Sequence, residues 1–179
     1  MDEITKSSFS LQNKIYRVVW AVFNLVFFRF SPRPFFKWRV LILKLFGAKI
    51  SFSCRVYGSS KIWSPKNLVM EEQTTIGPHA NIYNQGTIKL CKLSTVSQNA
   101  SLCASSHRYQ SRKHELILCP ITINEKAWIC AEAFVGPNVN VGEGAVLGAR
   151  AVAKKDLEPW TVYDGNPCVK VKDRIMKDS

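Results

Sequence analysis

Between Ile121 and Ala153 the chain repeats every six residues. Counted from Ile123, the sixes read INEKAW, ICAEAF, VGPNVN, VGEGAV and LGARAV. Each opens on Ile, Val or Leu, the second position is Asn, Cys or Gly, and the fifth is Ala or Val. A helix repeats near 3.6 residues and a strand near 2, so neither alone produces this period. A coil of three short, flat sides does. Each aliphatic leader then points into a narrow triangular core, and each small residue fits a tight corner.

From Ile50 the same period runs in weaker form. Leaders fall at Ile50, Val56, Ile62, Ile76, Ile82, Ile88, Val96 and Leu102. Two steps are eight residues long, one from Ile62 to Met70 and one from Ile88 to Val96. Such a step bulges a corner without ending the coil. After Leu102 the period breaks. Residues 103–120, CASSHRYQSRKHELILCP, form a loop that leaves the coil at a corner and returns at Pro120-Ile121. Loops carried on a rigid scaffold commonly hold function. In the tail, Asp164-Gly165-Asn166-Pro167 is a turn signal, and residues 168–177 are expected to form a short strand or helix. The expected division is a helical segment over 1–49, a coil over 50–155 and a C-terminal cap over 156–179.

Upstream of the coil, Leu11 to Phe30 carries apolar residues at helical spacing, and Ser31-Pro32-Arg33-Pro34 stops it. A second helix is expected over Phe35 to Phe46, ended by Gly47. Residues 1–10 are polar and expected to fray. The net charge is +12, with a pI of about 9.6. The positive excess is concentrated in this apolar N-terminal segment, which favours a membrane surface over nucleic acid. Two readings of residues 11–46 stand: a cap on the open end of the coil, or a peripheral membrane contact. The run Val18 to Phe28, closed by Arg17 and Arg29, falls short of the roughly 20 apolar residues that span a bilayer. None of the six cysteines forms a CxxC pair, and most sit where a small thiol replaces Gly or Ala. That suits a reducing, cytoplasmic setting, at the inner face of the membrane if the helices bind it.

These residues resemble the hexapeptide-repeat acyltransferases. LCASSHRY (102–109) looks like the family's catalytic-histidine signature, and KDLEPWTVYDGNPCVKVK looks like its C-terminal one. FRFSPRPFFKWRVLILKLFGAKI is similar to the branch that acetylates sugars in bacterial exopolysaccharide synthesis, the colanic-acid type. The resemblance implies an all-β fold, a left-handed parallel β-helix with N-terminal helices and a short C-terminal cap. It also implies a homotrimer whose sites lie between subunits. The implied reaction moves acetyl from acetyl-CoA to a hydroxyl of a sugar, or of a nucleotide- or lipid-linked sugar.

Such a transfer needs a base in contact with the hydroxyl, and imidazole is suited to that near neutral pH. By resemblance the base is His107. The charge that collects on the acetyl oxygen needs a donor, and the matching position is the backbone of Ala131, with Trp128 beside it. The amide-rich pantetheine arm of acetyl-CoA would run along coil edges at Gly148 and Ala149, using backbone N–H and C=O groups. Lys154, Lys155 and Lys172 match the family's contacts to the cofactor phosphates. The branch usually has Asp after the catalytic His, and this chain has Arg108. Arg108 is read as a partner for an anionic acceptor, and His114 as shaping the acceptor pocket. Two rivals share the fold. A γ-carbonic-anhydrase-like zinc protein would use His79, His107 and His114. A non-catalytic membrane-surface scaffold would use none of them. No metal site is expected for the acetyltransferase.

Overall fold

The structure is a computed structural model, and it describes residues 10–176. The expected fraying of residues 1–9 lies outside that span. From Lys49 onward the chain winds into a left-handed parallel β-helix of triangular section. Face A stacks Lys49–Ile50, Leu68–Met70, Ile88–Leu90, Ile121–Ile123 and Asn140–Val141. Face B stacks Arg55–Val56, Thr75–Ile76, Thr95–Val96, Trp128–Ile129, Val146–Leu147 and Thr161–Asp164, and Val169–Asp173 returns antiparallel on its last strand. Face C stacks Lys61–Ile62, Asn81–Tyr83, Ser101–Cys103, Phe134–Val135 and Val152–Ala153.

The leaders fill the core. Ile123, Ile129, Val135, Val141 and Leu147 are fully buried, and so are the small fifth-position residues Ala133, Ala145 and Ala151. Burying one such aliphatic side chain is worth about 1.5–3 kcal/mol. The register corrects one assignment in the weak half. Met70 pairs with Leu90, which lies in line with Ile123, so Leu90 is the leader and Ile88 is a second buried residue beside it. Both eight-residue steps therefore fall at the same corner, from Ile62 to Met70 and from Ile82 to Leu90. Cys91, Cys103 and Cys130 occupy the second position that glycine fills elsewhere.

At most corners a β-turn holds its third residue at positive φ just before the small buried residue. Gln73, His79, Leu93, Asn99, Lys126, Glu132, Asn138 and Arg150 all adopt it. Only glycine does so without steric cost, about 1–2 kcal/mol for other residues. The compensation is visible along the axis. Lys126 N–H donates to Lys92 O at 3.0 Å, Glu132 N–H to Gln98 O at 3.0 Å, and Arg150 N–H to Ala131 O at 2.9 Å. The left-handed residue aims its N–H at the corner above. Leu93 and Asn99 do the same, while Gln73 and His79 donate instead to the hydroxyls of Ser53 and Ser59 in the coil above.

Helix α1 is Leu11–Phe23, capped by the Ser10 side chain, which accepts from Asn13 N–H at 3.2 Å. It runs into a single wide turn, Asn24–Phe28, closed by Arg29 N–H on Asn24 O. The extra residue in that turn brings Phe28 onto Trp20, their rings 5.9 Å apart. Helix α2 is Phe36–Leu45. Each coil's strand N–H groups bond to carbonyls of the coil below, so the first coil's own carbonyls lack a coil above. The helices supply donors instead. Trp20 Nε1 donates to Ile62 O at 2.8 Å, and Arg39 Nε to Val56 O at 2.6 Å.

Candidate functional site

At the corner between faces C and A the chain leaves the coil as a hairpin. Ser105–His107 pairs antiparallel with Leu116–Leu118, His107 opposite Leu116. The hairpin presents an exposed His107 whose Nδ1 lies 2.7 Å from His114 O. A carbonyl can only accept, so Nδ1 carries the proton and Nε2 of the neutral ring keeps its lone pair. His114 sits at φ 44°, which turns its carbonyl toward the imidazole. The expectation gave His114 a side-chain role, whereas the structure adds a backbone one. Arg108 N–H donates to Glu115 O at 2.9 Å and closes the hairpin. The Ser111 hydroxyl foremost, with Arg108 and Lys113 nearby, holds the Glu115 carboxyl below its ordinary value. The imidazole is thus oriented by a backbone carbonyl.

Two of the cofactor-matching lysines share this corner. Lys154 and Lys155 follow Ala153 on face C, where Val135 pairs with both Leu102 and Ala153. At roughly 4.8 Å per strand, they lie about 10 Å down the axis from the hairpin. Both are exposed, and among the described residues neither forms an ion pair. The neighbouring Asp156 is engaged elsewhere, accepting from Asn140 N–H at 2.8 Å. Lys172 lies apart, on the last strand of face B opposite Val162.

The other predicted residues line a different edge, between faces B and C. Ala131 and Ala149 are each the second residue of a β-turn, closed by Ala133 N–H on Cys130 O at 3.3 Å and Ala151 N–H on Gly148 O at 3.2 Å. A turn leaves the N–H of its second residue unpaired. Among the described residues, the N–H groups of Gln98, Ala131 and Ala149 have no acceptor. They form a row of donors, one per coil. The carbonyls of Gln98 and Ala131 are taken by the coil below, so at those two positions the edge offers N–H groups; at Gly148 both backbone groups are engaged, the N–H on Tyr163 O at 2.8 Å and the carbonyl in the turn. Gly148 has a packing reason to be small: a Cβ there would lie 2.7 Å from Asp164 Oδ1. Trp128 is 45% exposed on face B, with Nε1 donating to Ser97 Oγ at 2.8 Å. One chain therefore places His107, Lys154 and Lys155 on one edge and Ala131 and Ala149 on another.

Sequence reasoning missed a groove of about 450 Å³ between α1 and face C, lined in part by Arg17, Arg29, Lys61, Trp63 and Tyr83. Arg17 lies over the Trp63 ring at 4.2 Å. Tyr83 pairs with Cys103, on the strand from which the His107 hairpin springs. The only sequence signal was the mixture of cations and aromatics across segments distant in the chain. Within one chain the histidines of the zinc rival lie apart, His79 at the B–C corner and the other two in the hairpin. Among the described residues, no group of three His, Cys, Asp or Glu is placed to hold a metal.

No protein-family model matches the chain. WcaF of Escherichia coli (strain K12), whose name assigns it to colanic acid biosynthesis as an acetyltransferase, is 35% identical over 163 residues, 91% of this chain and 90% of that protein. The chain belongs to the hexapeptide-repeat acetyltransferases, in their colanic-acid branch. Solved structures carry the same fold. A maltose O-acetyltransferase from Clostridium difficile 630 superposes with a TM-score of 0.82 at 18% identity, over 93% of this chain and 90% of that one. The hexapeptide-repeat acetyltransferase VCA0836 from Vibrio cholerae, solved with acetyl-CoA, also gives 0.82, at 19% identity over 95% and 93%.

Proposed function

We propose that this acetyltransferase moves acetyl from acetyl-CoA to a sugar hydroxyl in exopolysaccharide or related glycan assembly. The reading is carried by the hydrogen bond from His107 Nδ1 to His114 O, which leaves Nε2 outward as a proton acceptor. Nε2 takes the proton of the acceptor hydroxyl as its oxygen bonds to the acetyl carbon. The Ala131 N–H donates to the acetyl oxygen as charge collects there. When the carbon–sulfur bond breaks, His107 returns the proton to the departing thiolate, so the products are acetylated sugar and free thiol. Ala149, next in the row of N–H donors, and the flanking Gly148 and Trp128 border the path of the pantetheine arm. Lys154, Lys155 and Lys172 meet its phosphates.

Because these groups sit on two edges of one chain, a complete site needs a second copy facing the first. That supports a homotrimer with its sites between subunits. Arg108, Arg17 and Lys61 favour an acceptor that carries phosphate, as a nucleotide- or lipid-linked sugar does. All six cysteines are free, which fits the cytoplasmic side. The division at residues 49 and 155 remains part of this reading.

The test is thiol release from acetyl-CoA with a panel of free, nucleotide-linked and lipid-linked sugars. His107→Ala should slow transfer about 10²- to 10⁴-fold while acetyl-CoA still binds. Equal rates for wild type and variant would remove His107 as the base.

A further inference from the structure

Helix α1 has an unusual outer face. A surface helix ordinarily turns charged residues to solvent, opposite its buried stripe. Here Trp20 points inward, and Leu11, Ile15, Val18, Val22 and Val26 run down the opposite side, with Leu11 72% and Val18 64% exposed. The apolar surface continues through Phe30, 73% exposed, and Phe35 to α2, where Trp38, Leu41 and Leu45 lie outward. Trp38 Nε1 donates to Phe27 O at 3.0 Å, so the two helices' exposed faces meet there. Beside them an apolar groove is lined by Phe35, Trp38 and Phe52 with Lys37 and Arg55. Contiguous apolar surface of this kind marks an interaction site.

The charges indicate what covers it. Between Glu3 and Glu71 the sequence has no Asp or Glu. Lys14, Arg29, Arg33, Lys37 and Lys44 surround the apolar face, and all are exposed. A second copy of this end would set cation against cation. An anionic bilayer leaflet matches both halves of the pattern, taking aliphatic and aromatic side chains at the acyl boundary and cations at the headgroups. Among the described residues no helix is long and apolar enough to cross a membrane, so the segment would lie in the interface plane.

We infer that the outer face of α1 and α2 docks the enzyme on an anionic lipid surface. The same helices cap the coil through Trp20 and Arg39, so capping and docking use opposite sides of one element. The docked end is the one beside which the α1–face C groove opens, two strands (about 10 Å) along face C from the strand that carries the hairpin, which would bring a lipid-linked acceptor toward His107.

The experiment is sedimentation of the full-length protein with vesicles of phosphatidylglycerol mixed with phosphatidylcholine, and of phosphatidylcholine alone. Binding should favour the anionic vesicles and weaken as salt rises. Val18→Gln/Val22→Gln should lower binding at least tenfold with the oligomeric state unchanged by sedimentation equilibrium. Lys14→Gln/Lys37→Gln should lower it about fivefold per cation, the ~1 kcal/mol that one cation contributes near an anionic leaflet. Three results would overturn the inference. The wild type could ignore anionic vesicles, both variants could bind as well as it does, or the valine variant could dissociate, which would show the face is covered by another copy. Thiol release with a soluble acceptor, followed in parallel, reports on the acetyltransferase reading independently.

Discussion

Replacing Arg39 with Met tests the logic of the capped end. Arg39 is 1% exposed and, among the described residues, has no carboxylate partner. Its guanidinium donates to Val56 O at 2.6 Å, Ser31 Oγ at 2.8 Å, Pro32 O at 3.0 Å and Arg33 O at 2.7 Å. Burial pushes its pKa below the usual arginine value, so the charge is held at a desolvation cost. In Arg39→Met, Ser31, Pro32 and Arg33 lie near enough to the surface to be hydrated. Val56 O does not, and an unpaired buried carbonyl costs about 1–3 kcal/mol. Losing the guanidinium over the Phe36 ring, 4.8 Å away, adds about 0.5–1 kcal/mol. Relief of the buried charge offsets part of this, leaving a loss of about 2–3 kcal/mol. For a chain of this length that lowers Tm by about 4–12 °C. Urea unfolding followed by tryptophan fluorescence would measure it, with Trp20 and Trp38 reporting on the cap. Arg39→Lys should recover part of the loss. A Met variant within 0.5 kcal/mol of wild type would refute the claim that the first coil's carbonyls depend on donors from the helices.

Other perturbations probe the coil and the hairpin. Gly148→Val should destabilise the C-terminal turn by about 1–3 kcal/mol, since its Cβ would collide with Asp164; urea titration against Ala149→Val would separate this from bulk on the edge. The Lys89 ammonium, 2.8 Å away, holds the Glu71 carboxyl below its ordinary value. Its folded value is depressed, so this contribution is present above the unfolded carboxylate pKa and fades as pH falls through the folded one. Both groups are more than one-third exposed, so Glu71→Gln should cost only about 0.5 kcal/mol at neutral pH, and the gap should close in acid when Tm is compared across pH. Arg108→Asp should keep turnover within a few-fold, because the His114 carbonyl already orients the base, and should alter only KM for phosphorylated acceptors. A 10²-fold loss of kcat would show that Arg108 acts on the base.

The coil was legible in sequence because burial of the leaders is a local, periodic demand. Each of Ile123, Ile129, Val135, Val141 and Leu147 must face inward, and any reader of the period finds them. The weak half misled at Ile88 because two apolar residues, Ile88 and Leu90, are both buried on one strand, and only pairing with Leu68 and Met70 tells which is the leader. His107 was found through the resemblance of its flanking residues; nothing in residue spacing alone singled it out.

What the sequence determined by itself was the triangular coil, the break at 103–120 and the basic, apolar helical end. Tertiary structure alone decided three things. Corner residues such as Leu93, Lys126 and Arg150 take positive φ while their N–H groups reach a carbonyl of the coil above, a bond that does not depend on their own side-chain type. His107 gains its orientation from the carbonyl of His114, which the hairpin brings across from the opposite strand. The predicted site divides between two edges because residues 18 apart stack in line down one edge of the coil, while residues on different faces point away from each other. That division turns a list of candidate residues into an argument for a second subunit.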